Sequence, residues 1–490
     1  MNGRRVAPCY TRGMRPLIRA LRGVVLVLIA ALLLLIMYDL VRQPAAPDYQ
    51  PVVRETALDA RPMPQPKPCS SDVERLLVVG WDGVGWDRLL HALGTGRLPH
   101  LAKLLRSGSH GNLYGFKPSL SPALWTTIAT GRSPADHGIR RFDKRPHRLV
   151  ERWNRIRRLG KRHRELYSNA DRREPALWNL LSDRGETSLI VGYHNSYPAE
   201  AIEGLMLSNW LVRARMEETM RATSSAPPRL VHPPETTAHW LNLQREIDAA
   251  FGSRLGEFVN ADDATLRHLV EQSTRLGERE ERWPYFLRRA WIDDAFHARV
   301  ATEVLTRTRP RLTMVHFQAV DLVQHELFAF SPTVELPAWP ELDPWRSQYD
   351  ETIDRFLERA DRQLGELIAA AGDNVTVLLL SDHGFEASED PWGSGSHDEA
   401  PPGLWIASGP GVRTGVRQNA THYDIFPTLA AALDLPLSSE LPGAPMAELF
   451  CQEVEVETVK SYGAFTPPIA APPPYDETEL DALRSLGYVE

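Results

Sequence analysis

Three apolar runs in this chain end in side chains that bind metals. Asp382-His383 closes the run 375–380, Val-Thr-Val-Leu-Leu-Leu. A carboxylate beside an imidazole suits a divalent transition metal, one offering hard oxygen and the other borderline nitrogen. Asp82 follows the run 76–81. Asp321 follows 312–320, and His325 comes four residues later, which places both side chains on one face of a helical turn. His397 lies shortly after the first pair, in Gly395-Ser396-His397-Asp398. Asp82, Asp321, His325, Asp382, His383 and His397 are enough ligands for two metal ions.

A hydroxyl group stands ready beside them. In Lys117-Pro118-Ser119-Leu120-Ser121-Pro122-Ala123 a polar turn gives way to a helix, with Ser121 in the N-cap position and Pro122 at the first helical position. Ser121 has two readings: a cap alone, or a nucleophile at a helix N-terminus whose N–H groups and dipole favour a phosphate. A hydroxyl needs activation, which a metal supplies. Thr126 and Thr127 are rival hydroxyls whose place inside the helix favours packing.

These side chains need a scaffold. Runs of about six apolar or β-branched residues bounded by turn signals read as strands buried on both faces, as in a parallel sheet. Reactive groups in such sheets gather outside the carboxyl ends of the strands. Strands are expected at 76–81, 111–116, 188–192, 312–320, 375–380 and 403–409, alternating with helices, an α/β pattern. Residues 211–300 break the pattern with Arg- and Glu-rich helical segments, read as an insertion capping the site or as passive surface. His316 reads as a hydrogen-bonding core residue, Trp125 as core, and His137 and His422 as turn or surface residues, His422 with a possible substrate contact. Asp424 reads as the N-cap of the helix 425–433.

With 490 residues, 43% of them apolar, the chain is globular, and a net charge of −7 excludes a broadly cationic nucleic-acid binder. No internal repeat or Gly-rich nucleotide loop is present. Six arginines between positions 4 and 22 precede an uncharged apolar run at 23–38. At about 1.5 Å per residue this run covers roughly 24 Å, which reaches across a core of roughly 30 Å only with Arg22 and Asp39 near the interfaces. The expected order is a cytoplasmic Arg-rich segment (1–22), a transmembrane signal anchor in the lipid bilayer (23–41), a solvated Pro-rich linker (42–72), a catalytic domain (73–450) and a further extension (451–490) with a last short helix. This arrangement places the catalytic domain outside the cytoplasm, in the periplasm of a bacterium; a cleaved signal peptide is the alternative. Of three cysteines, Cys69 and Cys451 flank the domain and are a possible disulfide pair.

Taken together, Asp82-Gly83, Pro118 to Ser121 through Gly131, His137-Gly138-Ile139, Asp321 with His325, Ser381-Asp382-His383-Gly384, Gly395-Ser396-His397 and Asp424 to Thr428 resemble the alkaline phosphatase superfamily, across about 74–445. Within it they resemble the type I phosphodiesterase/nucleotide pyrophosphatase family. The resemblance implies a doubly wound, mostly parallel sheet and two divalent metal ions, usually zinc, with manganese possible. It implies Asp82, Ser121, Asp382 and His383 around one metal and Asp321, His325 and His397 around the other, with Ser121 as the nucleophile. The related nucleotide pyrophosphatases carry Thr followed by Phe-Pro-Asn where this chain has Ser121-Pro122-Ala123-Leu124, which puts a nucleotide substrate in doubt. The sulfatase pattern fails, because Ala123 and Trp125 stand where it needs Pro and Arg. The expected function is hydrolysis of phosphoric esters. A phosphomonoesterase, in which Lys117 or Arg132 supplies a further cation, a phospho-group transferase and a silent envelope scaffold are the alternatives.

Overall fold

Leu76–Trp81 (β1) is buried along its whole length, and its side chains alternate between two cores. Leu77, Val79 and Trp81 enter one, Leu76 and Val78 the other, the period of two that a strand imposes. The computed structural model describes residues 22–27, 30–31, 49–54, 56, 58, 72–144, 165–212, 229–331, 339–452, 456–469 and 477–489. The chain divides into two units, residues 1–47 with 144–165 and residues 48–143 with 166–490. The sheet and the expected site residues belong to the second.

After β1 come helices α1 (Trp86–Gly94) and α2 (Pro99–Ser107), strand β2 (Ser109–Tyr114), α3 (Ser121–Thr130), α4 (Leu177–Asp183), β3 (Ser188–Val191), β4 (Gly204–Leu207) and β5 (Val231–His232). Helices α5 (Thr237–Ala250), α6 (Asp263–Gln272) and α7 (Trp283–Leu305) lead to β6 (Leu312–Phe317), α8 (Ala319–Leu327), α9 (Thr352–Ala371) and β7 (Thr376–His383). A small hairpin, β8 (Glu386–Ala387) with β9 (Gly395–Ser396), precedes β10 (Pro402–Ser408), β11 (Ala420–Thr421), α10 (His422–Ala432) and α11 (Glu477–Ser485).

The main sheet runs β11-β2-β10-β7-β1-β6-β3-β4-β5. β7, β1, β6, β3 and β4 are parallel, whereas β10 is antiparallel to both its neighbours and β5 to β4. The sheet is therefore mixed. No crossover helix separates β7 from β10, only the β8–β9 hairpin, and the strand returns antiparallel.

The expected insertion is mostly helical in its described part. α5 and α6 pack on α7, and α7 packs on α8 and α9 and leads into β6, so it belongs to the core layer of the fold. The expected linker is also partly structured. Val52 N donates to Gly115 O at 2.8 Å, Arg54 pairs with Glu399, and Leu58 is buried in the core. Asp424 is not the N-cap of α10: Thr421 caps it, and Asp424 reaches back to the Thr421 N–H in a capping box. Cys451 is disulfide-bonded, while the expected partner Cys69 lies outside the described residues.

The expected membrane anchor is corrected. Among the described residues no helix is long and apolar enough to cross a membrane. Within 23–41 the helical residues are 23–27 and 30–31, and the rest of that span, like 1–21, lies outside the described residues. The bilayer as a partner and the extracytoplasmic placement rested on that helix and fall with it.

Candidate active site

Three adjacent parallel strands at the centre of the sheet, β7, β1 and β6, deliver the acidic residues to their carboxyl ends. Asp82 follows β1, and its N–H donates to Phe317 O at the end of β6 at 3.0 Å. Asp382 and His383 are the last residues of β7. Asp321 and His325 lie on α8, whose first turn is fixed by Asp294: its Oδ1 accepts from Gln318 N at 2.9 Å and Ala319 N at 3.2 Å. His397 follows β9. The six expected ligands and Ser121 are all at most 6% exposed, too dry for three carboxylates to stay charged without a cation.

The ligand atoms of Asp82, Asp382 and His383 lie within 4.8 Å of one another, as do those of Asp321, His383 and His397. His325 Nε2 is 3.6 Å from Asp321 Oδ1. Asp321 Oδ1, Asp382 Oδ2, His325 Nε2 and both nitrogens of His397 have no hydrogen-bond partner. The His383 Nδ1–H donates to Gly384 O at 3.0 Å, which leaves the Nε2 lone pair facing Asp82 and Asp382. Burial and the charge of Asp82 push the Asp321 and Asp382 carboxyls well above their usual range. Burial lowers the histidines: His325 to about 3, His397 well below its usual value, and His383 in the same direction. Neutral imidazoles and crowded, unpartnered carboxylate oxygens make a donor set that fits divalent metal ions.

Asp82 is the exception among the acids. Burial alone would raise it, but the hydrogen bond from His316 and the nearby imidazoles of His194 and His383 hold it well below the usual carboxylate range. Its Oδ2 accepts from Trp125 Nε1 at 3.0 Å and His316 Nε2 at 3.1 Å, and His194 Nε2 stands 3.4 Å away. This arrangement depends on Gly80, where a Cβ would come within 2.6 Å of the Trp125 ring. Trp125, read from the sequence as core, is both core and donor. His194, which the sequence reading passed over, follows β3, beside β6, where the strand-end rule applied to one more strand would have found it.

Oδ1 of Asp82 faces the hydroxyl. Ser121 Oγ donates to it at 3.3 Å and lies 3.4 Å from His383 Nε2. Ser121 is the first residue of α3 rather than its cap, and Leu120 occupies the cap position without a side-chain bond. The N–H cradle expected there is reduced: Ala123 N and Leu124 N are turned to Leu120 O, and Pro122 has no N–H. α3 therefore offers chiefly its dipole. Thr126 Oγ1 bonds to Pro122 O at 2.6 Å and Thr127 Oγ1 to His137 Nε2 at 3.1 Å, so both rival hydroxyls are engaged away from the ligands.

Lys117 lines a narrow cavity of about 20 Å³ with Ser119, Asp382 and His383, and its Nζ donates to Asp398 O at 2.7 Å. A larger cleft of about 360 Å³ lies between Arg54, Gln324, Phe385 and Glu399. None of the residues lining either is drawn from the described part of 211–300. Arg132, the other cation named in the sequence, lies beyond the far end of α3, on the order of 15 Å from Ser121 by helix rise, beside Glu174 and Glu440. His137 and His422 are buried rather than superficial, and a Cβ on Gly115 would meet the His422 ring at 2.6 Å. One site contact had no counterpart in the motifs: the Tyr488 hydroxyl donates to Asp321 Oδ2.

The buried Ser, Asp and His groups form a hydrolytic active site with metal-ligating clusters. Over residues 76–397 the chain matches the family described as type I phosphodiesterase / nucleotide pyrophosphatase. A 2,3-bisphosphoglycerate-independent phosphoglycerate mutase from Synechococcus sp. (strain JA-2-3B'a(2-13)) is 32% identical over 120 residues, a match that spans 22% of this chain and only 22% of the mutase. Among solved structures, the alkaline phosphatase PafA matches with a TM-score of 0.48 at 12% identity, over 78% of this chain and 100% of that one. Murine ectonucleotide pyrophosphatase / phosphodiesterase 5 matches with a TM-score of 0.40 at 14% identity, over 76% and 97%. The matched span begins at β1 and ends at His397, taking in every segment that supplies the expected ligands, and the chain belongs to the type I phosphodiesterase/nucleotide pyrophosphatase family of the alkaline phosphatase superfamily.

Proposed function

We propose that this chain is a metal-dependent hydrolase of phosphoric esters in which Ser121 is the nucleophile. The observation that carries the reading is the position of Ser121 Oγ, 3.3 Å from Asp82 Oδ1 and 3.4 Å from His383 Nε2, beside ligand atoms that lack partners. Asp82, Asp382 and His383, with Ser121, would hold one cation, and Asp321, His325 and His397 the other. Imidazole nitrogen with carboxylate oxygen favours zinc, with manganese as the substitute. When bound, the two cations draw charge from the hydroxyl and from the phosphoryl oxygens.

The side chains do the rest. Ser121 Oγ gives up its proton and forms a bond to phosphorus as the bond to the leaving oxygen breaks in line; that oxygen takes up a proton and departs as the alcohol, leaving a phosphorylated serine. The oxygen of a water then bonds to phosphorus as the Ser121 Oγ–P bond breaks, one water proton restoring the hydroxyl and the phosphate departing. Trp125 and His316 hold Asp82 by one oxygen, so the other stays toward Ser121. Lys117 and the dipole of α3 favour the negative charge of the ester.

The test is hydrolysis of paired chromogenic phosphomonoester and phosphodiester substrates, with zinc, with chelator, and with Ser121→Ala. Zinc-dependent hydrolysis lost in the chelated and mutant samples supports the reading, and the preferred ester sets the substrate class. Hydrolysis that survives Ser121→Ala overturns the nucleophile.

A further inference from the structure

Asp321 has two carboxylate oxygens in different circumstances. Oδ1 has no partner and lies 3.6 Å from His325 Nε2, which also has none. Oδ2 accepts the Tyr488 hydroxyl. That phenol comes from a segment far along the chain from every metal-binding motif, and it is firmly placed. Its ring stacks on Phe142 with centroids 4.2 Å apart and planes 10° from parallel, and it meets the His325 ring edge-on at 5.0 Å. Around it Leu480, Ala482, Leu483, Leu486 and Val489 are buried in the same core as Phe142 and the α8 residues Leu322 and Val323. The hydroxyl is thus held by packing on both flanks rather than by the hydrogen bond alone.

We propose that Tyr488 is a positioning residue for the second cation, so that residues 477–489 complete the active site. The inference rests on the two-metal reading above. By engaging Oδ2, the phenol fixes the rotation of the Asp321 carboxylate and leaves Oδ1 as its single ligand atom, facing His325. Outer partners of this kind orient a ligand before the metal arrives, and losing one weakens metal affinity by about 10- to 100-fold. The other two carboxylates of the site are held in a comparable way, Asp82 by Trp125 and His316 on Oδ2 and Asp382 by the Gly83 N–H on Oδ1 at 3.4 Å.

The experiment is a titration of the metal-free full chain with cobalt(II) and with zinc against a chromophoric chelator, comparing wild type with Tyr488→Phe. The phenylalanine ring preserves the stack on Phe142. Wild type is expected to take up two ions, and Y488F to bind the second about 10- to 100-fold more weakly with the first unchanged. Raising the metal concentration is then expected to restore kcat in Y488F. A wild type that binds fewer than two ions removes the two-metal reading itself. Two ions in wild type with equal affinities in Y488F overturn the inference alone, as does tighter binding or faster turnover in Y488F, which would make the tyrosine a plug. Iron(III)-loaded wild type is expected to show no phenolate charge-transfer band, and a band lost in Y488F would make Tyr488 a ligand and also overturn the proposal.

Discussion

Replacing Trp125 with phenylalanine removes one donor from the most constrained carboxylate in the site. The indole is fully buried, its Nε1 donates to Asp82 Oδ2 at 3.0 Å, and its ring meets His316 at 4.7 Å and Tyr193 at 5.8 Å. Loss of a hydrogen bond to a charged group costs about 1.5–3 kcal/mol. The smaller ring leaves a void of roughly 40 Å³, which at about 24 cal/mol per Å³ adds about 1 kcal/mol. His316 still donates to the same oxygen at 3.1 Å, so the lower end applies, about 2.5 kcal/mol in the metal-free protein. Guanidinium unfolding of metal-free wild type and W125F measures this directly, with an unchanged m-value as the check on a common unfolded state. Zinc affinity of the first site should fall about 10-fold or more in parallel, because Asp82 Oδ1 loses its fixed direction. A stability loss below about 1 kcal/mol together with unchanged zinc affinity would refute the claim that the indole holds Asp82.

Other consequences concern pH, metal and charge. His137 is lowered to about 3, by burial first and then by Arg172, and its Nδ1 accepts from Ile139 N, a bond that a proton there would break. Its contribution to stability is full above about 6.5 and is lost as pH falls toward 3, at about 1.4 kcal/mol per pH unit. Denaturation between pH 7 and 5 should show this slope, and His137→Gln should reduce it. Asp294 shows the opposite sign: burial raises it to about 8, so the stability it contributes is lost as pH rises from about 4 through 8. Asp294→Asn keeps an acceptor for Gln318 N and Ala319 N and should flatten the alkaline side of the stability profile. Zinc at 100 times its Kd should raise stability by about 2.7 kcal/mol in melting experiments, and chelator should reverse it. Lys117→Ala should lower kcat/KM by about 10-fold or more, whereas Arg132→Ala should leave it unchanged, its exposed and half-buried ion pairs being worth no more than about 1 kcal/mol. An unchanged kcat/KM in Lys117→Ala would mean that the cation nearest the ligands has no part in binding the ester.

Most of the ligand set was legible because strand ends and ligands coincide in this fold. An apolar run that closes in Asp or Asp-His is readable without coordinates, and β1, β6 and β7 lie side by side, so local signals converge in space. Nearness along the chain says less where geometry intervenes: Arg132 is near Ser121 in sequence, but the ten-residue helix that begins at Ser121 puts it beyond the far end. His316 read as a hydrogen-bonding residue, and its Nε2 is on Asp82, while His422 read as superficial and is packed over Gly115. Tyr488 carried no signal at all, since one tyrosine after a short amphipathic helix has no spacing that points to a carboxylate more than a hundred residues away. The anchor reading rested on composition, and hydropathy alone does not make a spanning helix.

A nucleophilic Ser121 carries the phosphoryl group during turnover. Quenching the zinc-loaded protein in acid during turnover of a phosphoester, followed by peptide mass spectrometry, tests it most directly. A phosphoryl adduct on the peptide containing Ser121, absent in Ser121→Ala and in chelated protein, is the predicted result. Turnover with no adduct at any quench time, or an adduct on Thr126 or Thr127 instead, would contradict it.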